Sequence, residues 1–167
     1  MVECILATDM ATHSFQINSL KAKLESNDIK NGENLHKLLS DNVAKNTEVQ
    51  QMILSLVVHT ADLSNPAKLT PIFVKWTEVL FFEFFNQGDI EKEKGLNVSM
   101  LCDRKTTNIN KSEIGFIKFV VRPQFDLVSN VIPDIQDYFN NIAKNLKYFE
   151  DQLELETQNE KNKASEK

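Results

Sequence analysis

Between Thr70 and Gly88 the apolar residues Phe73, Trp76, Val79, Leu80, Phe81, Phe82, Phe84 and Phe85 run around a helix instead of lining one side of it. A helix that is apolar over most of its circumference is stable in water only with neighbours on several sides. It must be a central element, and the chain is limited to folds that wrap other elements around it. Thr70 is placed as its N-cap, Pro71 at its first helical position, and its end falls near Gln87-Gly88. The wrapping elements are helices too. Ile5, Leu6, Met10, Ile17, Leu20 and Leu24 fall on one stripe over 1–25, and Val49, Met52, Ile53, Leu56 and Val57 on another over 46–61. A helix over 111–121 stops before Pro123. Ile135, Phe139, Ile142, Leu146, Phe149 and Leu153 give a narrow seam over 133–155. Between these lie a polar loop over 26–34, a short helical piece over 35–40 and an irregular stretch over 88–110. Four Gly and four Pro are too few for the turns of an all-β fold. The architecture is all-α over 1–155, and residues 156–167, with almost nothing apolar, read as a disordered polar tail.

Composition excludes several roles. The net charge of −5, with basic residues scattered through mixed-charge stretches, excludes a nucleic-acid face. No stretch approaches the ~20 apolar residues of a membrane span. Cys4 and Cys102 give neither a disulfide framework nor a CxxC metal spacing, which fits a reduced, cytoplasmic setting. The first residues lack the basic start of a signal peptide.

The chemistry concentrates where the helical run Met52–Val58 drives into His59-Thr60-Ala61-Asp62-Leu63-Ser64-Asn65-Pro66. An apolar segment tends to bury its end, and a buried Asp62 needs a partner: a metal ion, an Arg or Lys, or backbone N–H groups. The plainer alternative is that Asp62 and Asn65 only end the helix and build the turn.

That string has ordered companions: Leu6-Ala7-Thr8-Asp9-Met10 upstream, then Trp76-Thr77, Glu83-Phe84-Phe85-Asn86-Gln87-Gly88-Asp89, Leu101-Cys102-Asp103 and Lys111-Ser112-Glu113-Ile114-Gly115-Phe116-Ile117. The set resembles the C-terminal portion of the class I 3′,5′-cyclic nucleotide phosphodiesterase catalytic domain, and most of all the cAMP-specific animal subfamily. The resemblance implies a multi-helix, HD-type fold of which this chain is the rear part. It implies hydrolysis of cyclic nucleotides (cAMP or cGMP) to 5′-monophosphates by a hydroxide held between two divalent metals, zinc and magnesium or manganese. Asp62 takes the place of a zinc-ligating aspartate. His59 shares the motif either with a role beside the site or as a packed core histidine. Asn65 resembles a polar contact to adenine, with turn chemistry before Pro66 as the alternative. Phe116 and Leu80 resemble the aromatic and aliphatic jaws of a base clamp. Leu101, Phe84 and Trp76 are candidate pocket-lining residues, or core.

Two departures stand out. The family's His-Asn-x-x-His motif and His-Asp pair, which carry the general acid and most metal ligands, are absent. His13, His36 and His59 are followed by Ser14, Lys37 and Thr60. Catalytic zinc takes about three protein ligands, so Asp62 alone holds none, and the chain is expected to work with a missing N-terminal half. Glu113 stands where the family carries a purine-reading glutamine. An ionised carboxylate only accepts hydrogen bonds, whereas a protonated one imitates the amide. Glu113 at a solvent-facing helix start is the alternative.

Three functions follow: a phosphodiesterase active with its front half; a non-catalytic interaction or regulatory module, dimerising through the 133–155 seam; or a helical bundle unrelated to nucleotides. Without the front half, some aromatics of the central helix are expected on the surface.

Overall fold

The computed structural model describes residues 2–26, 47–132 and 134–165; the loop over 26–34 and the helical piece at 35–40 lie essentially outside them. Among the described residues there are helices and turns and no strand. They form two compact units, one of residues 1–64 and 119–139, the other of 65–118 and 140–167.

The first unit holds α1 (Val2–Leu6), α2 (His13–Ser26), α3 (Thr47–Asp62) and α6 (Arg122–Ser129). α1, α2 and α6 pack on α3, and α2 also on α6. Cys4, Leu20, Leu24, Val49, Ile53, Leu56, Phe125 and Val128 form the core. The single helix expected over 1–25 is broken at residues 7–12. There Thr8 Oγ1 donates to the Ile5 carbonyl, Asp9 Oδ1 accepts from Ala11 N, and Thr12 Oγ1 donates to the Asp9 carbonyl. Such local side-chain bonds offer the backbone an alternative to the helical ladder. The break turns Ile5, Leu6 and Met10 outward, so only Leu20 and Leu24 of that stripe are fully buried.

The second unit holds a 3₁₀ turn (Asn65–Ala67), α4 (Thr70–Glu93), α5 (Ile109–Phe116) and most of α7 (Gln136–Ser165). In α4, Pro71 lies in the first turn as expected. The N-cap is Leu69, not Thr70, and no side chain caps it. The helix passes Gly88 and ends at a Schellman motif, in which Leu96 N bonds Glu91 O, Gly95 N bonds Lys92 O, and Gly95 takes φ +68°. Gly88 does not stop the helix because it serves a close approach: a Cβ there would lie 1.9 Å from the Cys102 carbonyl oxygen.

α5 begins earlier than expected, at an Asn108 cap whose side chain accepts from Lys111 N at 2.8 Å. A π-turn follows over Ile117–Val121, and α6 begins at Arg122. Pro123 was expected to end the helix. It instead occupies the first turn of α6, where its missing N–H costs little. The tail expected to be disordered from 156 continues α7 to Ser165. This extension is exposed and carried by two local bonds, Thr157 Oγ1 donating to Leu153 O and Gln158 to Glu154, and by one long-range bond from Asn108 to Glu156. The seam of α7 is spent inside the chain. Ile142 and Phe149 are buried, and Phe149 meets Phe73 edge-on at 5.4 Å between centroids. That leaves the seam little surface for dimerisation.

Candidate functional site

Within the first unit, α3 delivers the start of the His59–Pro66 string. His59 is buried and its Nε2 lies 2.8 Å from Nδ1 of His13, the rings meeting edge-on. Burial lowers both pKa values. His13 is lowered further by His59, while the Asp62 charge partly offsets the effect on His59. One helical turn from that pair, Gln124 donates from Nε2 to Thr60 Oγ1 at 2.8 Å and to Leu56 O at 3.3 Å. His59, Gln124, Leu20, Met52 and Ser55 line a cavity of about 330 Å³, and Gln124 Oε1 and His59 Nδ1 have no partner among the described residues.

Asp62 is exposed, contrary to the burial expected of it, and makes no ion pair among the described residues. The buried face of α3 carries Val49, Ile53, Leu56, His59 and Thr60. Leu54, Val57 and Val58, at i−8, i−5 and i−4 from Asp62, lie on the exposed side. Asp62 therefore ends an uncovered apolar strip. Its carboxylate suits one position in a metal's ligand set, but His59 is turned inward onto His13. No group of three or more His, Cys, Asp or Glu side chains among the described residues is placed to hold a metal.

In the second unit, Asn65 opens the 3₁₀ turn, half-buried, ahead of the buried Pro66 and Ala67. The turn is fastened to α7: Asn145, fully buried, donates from Nδ2 to Pro66 O and Lys68 O, both at 2.8 Å, and Asn141 donates to Ala67 O at 3.0 Å.

α4 and α5 meet through a buried polar bond. Thr77 Oγ1 donates to Glu113 Oε1 at 3.1 Å, and each residue is 4% exposed. The alternative of a solvent-facing Glu113 is thereby overturned. Burial pushes its pKa up to about 7, against the opposing pull of the Thr77 hydroxyl. Leu80 follows Thr77 by three residues and Phe116 follows Glu113 by three, so each lies on the same face of its helix as the bonded residue. Leu80 is partly exposed and Phe116 half-buried. Phe84 packs edge-on against Phe81, with centroids 5.7 Å apart. Leu101 adopts φ +68°, the left-handed region rare for a branched side chain. Trp76 is half exposed and lines a different apolar depression, with Ile72, Lys75 and Val79. Phe82 is more exposed still, so aromatics of the central helix do reach the surface.

Sequence reasoning gave no role to Thr77, His13, Gln124 or Asn145. The partners of Asn145 lie 77 and 79 residues away in sequence, and nothing local marks it. The partners of the other three come from distant segments, and nothing local marks them.

The family model for 3′5′-cyclic nucleotide phosphodiesterase matches residues 1–142. The 3′,5′-cyclic-AMP phosphodiesterase 4C of Rattus norvegicus is 35% identical over 92% of this chain, which spans 27% of that protein's length. A 3′,5′-cyclic-AMP phosphodiesterase of Drosophila melanogaster is likewise 35% identical over 92% of the chain, here 14% of the longer protein. The phosphodiesterase domain of Salpingoeca rosetta rhodopsin phosphodiesterase superposes with a TM-score of 0.78 at 29% identity, covering 96% of this chain and 46% of that one.

Proposed function

The chain belongs to the 3′5′-cyclic nucleotide phosphodiesterase family, and from that membership we propose that it supplies the base-holding part of an enzyme that hydrolyses 3′,5′-cyclic nucleotides, cAMP or cGMP, to 5′-monophosphates. The observation that carries this reading is the Thr77–Glu113 bond, which brings together the faces of α4 and α5 that bear Leu80 and Phe116. A purine slid between an aliphatic and an aromatic side chain gains dispersion contacts and sheds water. Leu101 and Phe84 extend the apolar walls. Trp76 belongs to the neighbouring depression, and Asn65 presents an amide from a turn that Asn145 keeps in place.

Asp62 is the metal ligand this chain brings, at the end of the uncovered strip Leu54-Val57-Val58. The two divalent ions that the family implies, zinc with magnesium or manganese, take their other ligands from a partner segment that carries the His-Asn-x-x-His and His-Asp motifs. That segment is the protein partner we assign, and the uncovered strip is a surface for it. No helix among the described residues is long and apolar enough to cross a membrane, and we assign the protein to the cytoplasm.

The test is co-expression of this chain with such a segment. The pair should release 5′-AMP or 5′-GMP from the cyclic nucleotide and co-purify with about two divalent metals. A pair that binds cyclic nucleotide, holds no metal and hydrolyses nothing would replace the enzyme with the non-catalytic module.

A further inference from the structure

The cavity of about 330 Å³ in the first unit has no part in holding the base or the metals. Helices α2 and α3 supply most of its lining, Gln124 of α6 adds to it, and Ala7 joins from the break between α1 and α2. Ala7, Ile17, Leu20, Met52 and Leu56 make its walls apolar. Phe15 lines it with a side chain that is 75% exposed, so the cavity reaches the surface there.

Two polar side chains of the lining are almost wholly buried, Gln124 at 1% exposure and His59 at 2%, and each keeps one atom without a partner among the described residues. For Gln124 the surrounding bonds fix which atom that is. The Thr60 hydroxyl gives its proton to the Leu56 carbonyl, so Thr60 Oγ1 and Leu56 O both face Gln124 as acceptors. The amide nitrogen must meet them, and Oε1 is left as an acceptor with no donor. His59 is adaptable. Burial lowers its pKa, so the ring is neutral at neutral pH and shares one proton with His13, between its Nε2 and His13 Nδ1. When His13 holds that proton, His59 Nδ1 is an N–H donor; when His59 Nε2 holds it, Nδ1 is a bare acceptor. The other amides of the lining are engaged. Gln16 donates to Ala7 O and Thr12 Oγ1, and Gln51 donates to Cys4 Sγ and Ser55 Oγ. Glu48, the one carboxylate of the lining, is exposed and paired with Lys23, so the floor offers an ion no counter-charge.

Water suits this cavity poorly. At about 30 Å³ a molecule there is room for about ten, and each buried water needs about two to four polar partners. Two orphan atoms among apolar walls provide for one or two. The volume instead falls at the small end of the about 300–1,000 Å³ of pockets that take organic ligands.

We propose that this cavity is a binding site for a small neutral organic molecule with an apolar body and one polar edge, an N–H donor beside a carbonyl, as in a lactam or pyridone. The donor is received by Gln124 Oε1, and the carbonyl accepts from His59 Nδ1–H. Both protein atoms are covered in the unliganded chain. Met52, half-buried and unbranched, is the wall residue suited to move aside for the polar edge.

The experiment is NMR titration of the full chain, labelled at methyl and imidazole positions, with isoquinolone, a bicyclic lactam, and with N-methylisoquinolone, which lacks the donor. Isoquinolone should bind saturably, shift the methyl resonances of Leu20, Met52 and Leu56, and move the His59 imidazole nitrogens towards the Nδ1–H tautomer. N-methylisoquinolone should bind about tenfold more weakly, the worth of one buried hydrogen bond. In Gln124→Leu, which keeps the bulk and removes the acceptor, the two compounds should bind alike. The comparison in the unsubstituted chain decides the matter even where that variant fails to fold. Equal affinities there, saturable shifts confined to residues outside the cavity, or no saturation at millimolar isoquinolone overturns the proposal, the last leaving a cavity that holds water alone.

Discussion

Removing the Asn145 side chain should loosen the turn that presents Asn65. Its Nδ2 serves the buried carbonyl of Pro66 and the part-buried carbonyl of Lys68, at 2.8 Å each, from a residue with no exposed surface. In Asn145→Ala both carbonyls lose their donor. Each such loss costs about 1–3 kcal/mol, and removal of the partnerless Oδ1 returns part of it. The net expectation is ~2–3 kcal/mol, or a fall in Tm of ~5–10 °C for a chain of this length. Asn145→Asp is the sharper variant. An ionised carboxylate facing two carbonyl oxygens has nothing to donate, so it should be less stable than the alanine variant at pH 8. Its carboxyl pKa rises in the fold, so the deficit shrinks as pH falls and the neutral acid donates to one carbonyl. Urea unfolding followed by circular dichroism at 222 nm, at pH 5 and pH 8, measures both. An alanine variant within ~0.5 kcal/mol of the unsubstituted chain, or an aspartate variant equally stable at both pH values, refutes the reasoning.

Gly88→Ala should destabilise despite alanine's advantage of about 1 kcal/mol inside helices. Its Cβ meets the Cys102 backbone at 1.9 Å, and thermal melting should show a net loss of ~1–3 kcal/mol; a melt at or above the original value would contradict the close approach. Glu113 also ties stability to pH. Its pKa is higher folded (about 7) than the ordinary 4.5, so the fold favours the neutral acid. Its relative contribution is fully present below pH 4.5 and is lost as pH rises to 7, amounting to about 3 kcal/mol. Glu113→Gln should remove that slope in denaturant melts, and an unchanged slope would place the carboxyl in water. The His13–His59 pair acts in the opposite sense. Both pKa values are lowered, so its contribution is present above the ordinary 6.5 and is lost as pH falls through the folded values. Imidazole NMR should find both midpoints below 6.5, and either one above it would contradict the buried pair.

The legible parts of the fold were those written in long apolar periods. The Val49–Val57 stripe placed α3 almost to the residue, because its alternation ends in a turn string that cannot continue a helix. The apolar circumference of α4 predicted a helix covered on several sides, but Ile72, Trp76, Val79 and Phe82 are exposed, and the pattern did not mark the helix's end. Gly88 reads locally as a stop, while its function is to admit the Cys102 carbonyl, which the local sequence does not encode. Pro123 misled for a similar reason: a proline that breaks one helix is at home in the first turn of the next. The α1–α2 break lay hidden in Thr8, Asp9 and Thr12, whose side chains compete with the ladder one bond at a time. The family resemblance singled out Glu113, Leu80 and Phe116. It did not reveal that Glu113 is buried against Thr77, a pairing across 36 residues of chain. Asp62 was assigned a buried setting from the apolar run before it, yet it lies on the exposed side of the helix, beyond Leu54, Val57 and Val58.

The most direct measurement is ³¹P NMR of cAMP incubated with this chain joined to a segment that bears the His-Asn-x-x-His and His-Asp motifs, compared with the same assembly carrying Asp62→Ala. The account predicts conversion of the cyclic diester resonance to that of a 5′-monophosphate by the first, and an unchanged cyclic resonance with the second. Equal rates of 5′-monophosphate formation in the two samples would contradict it.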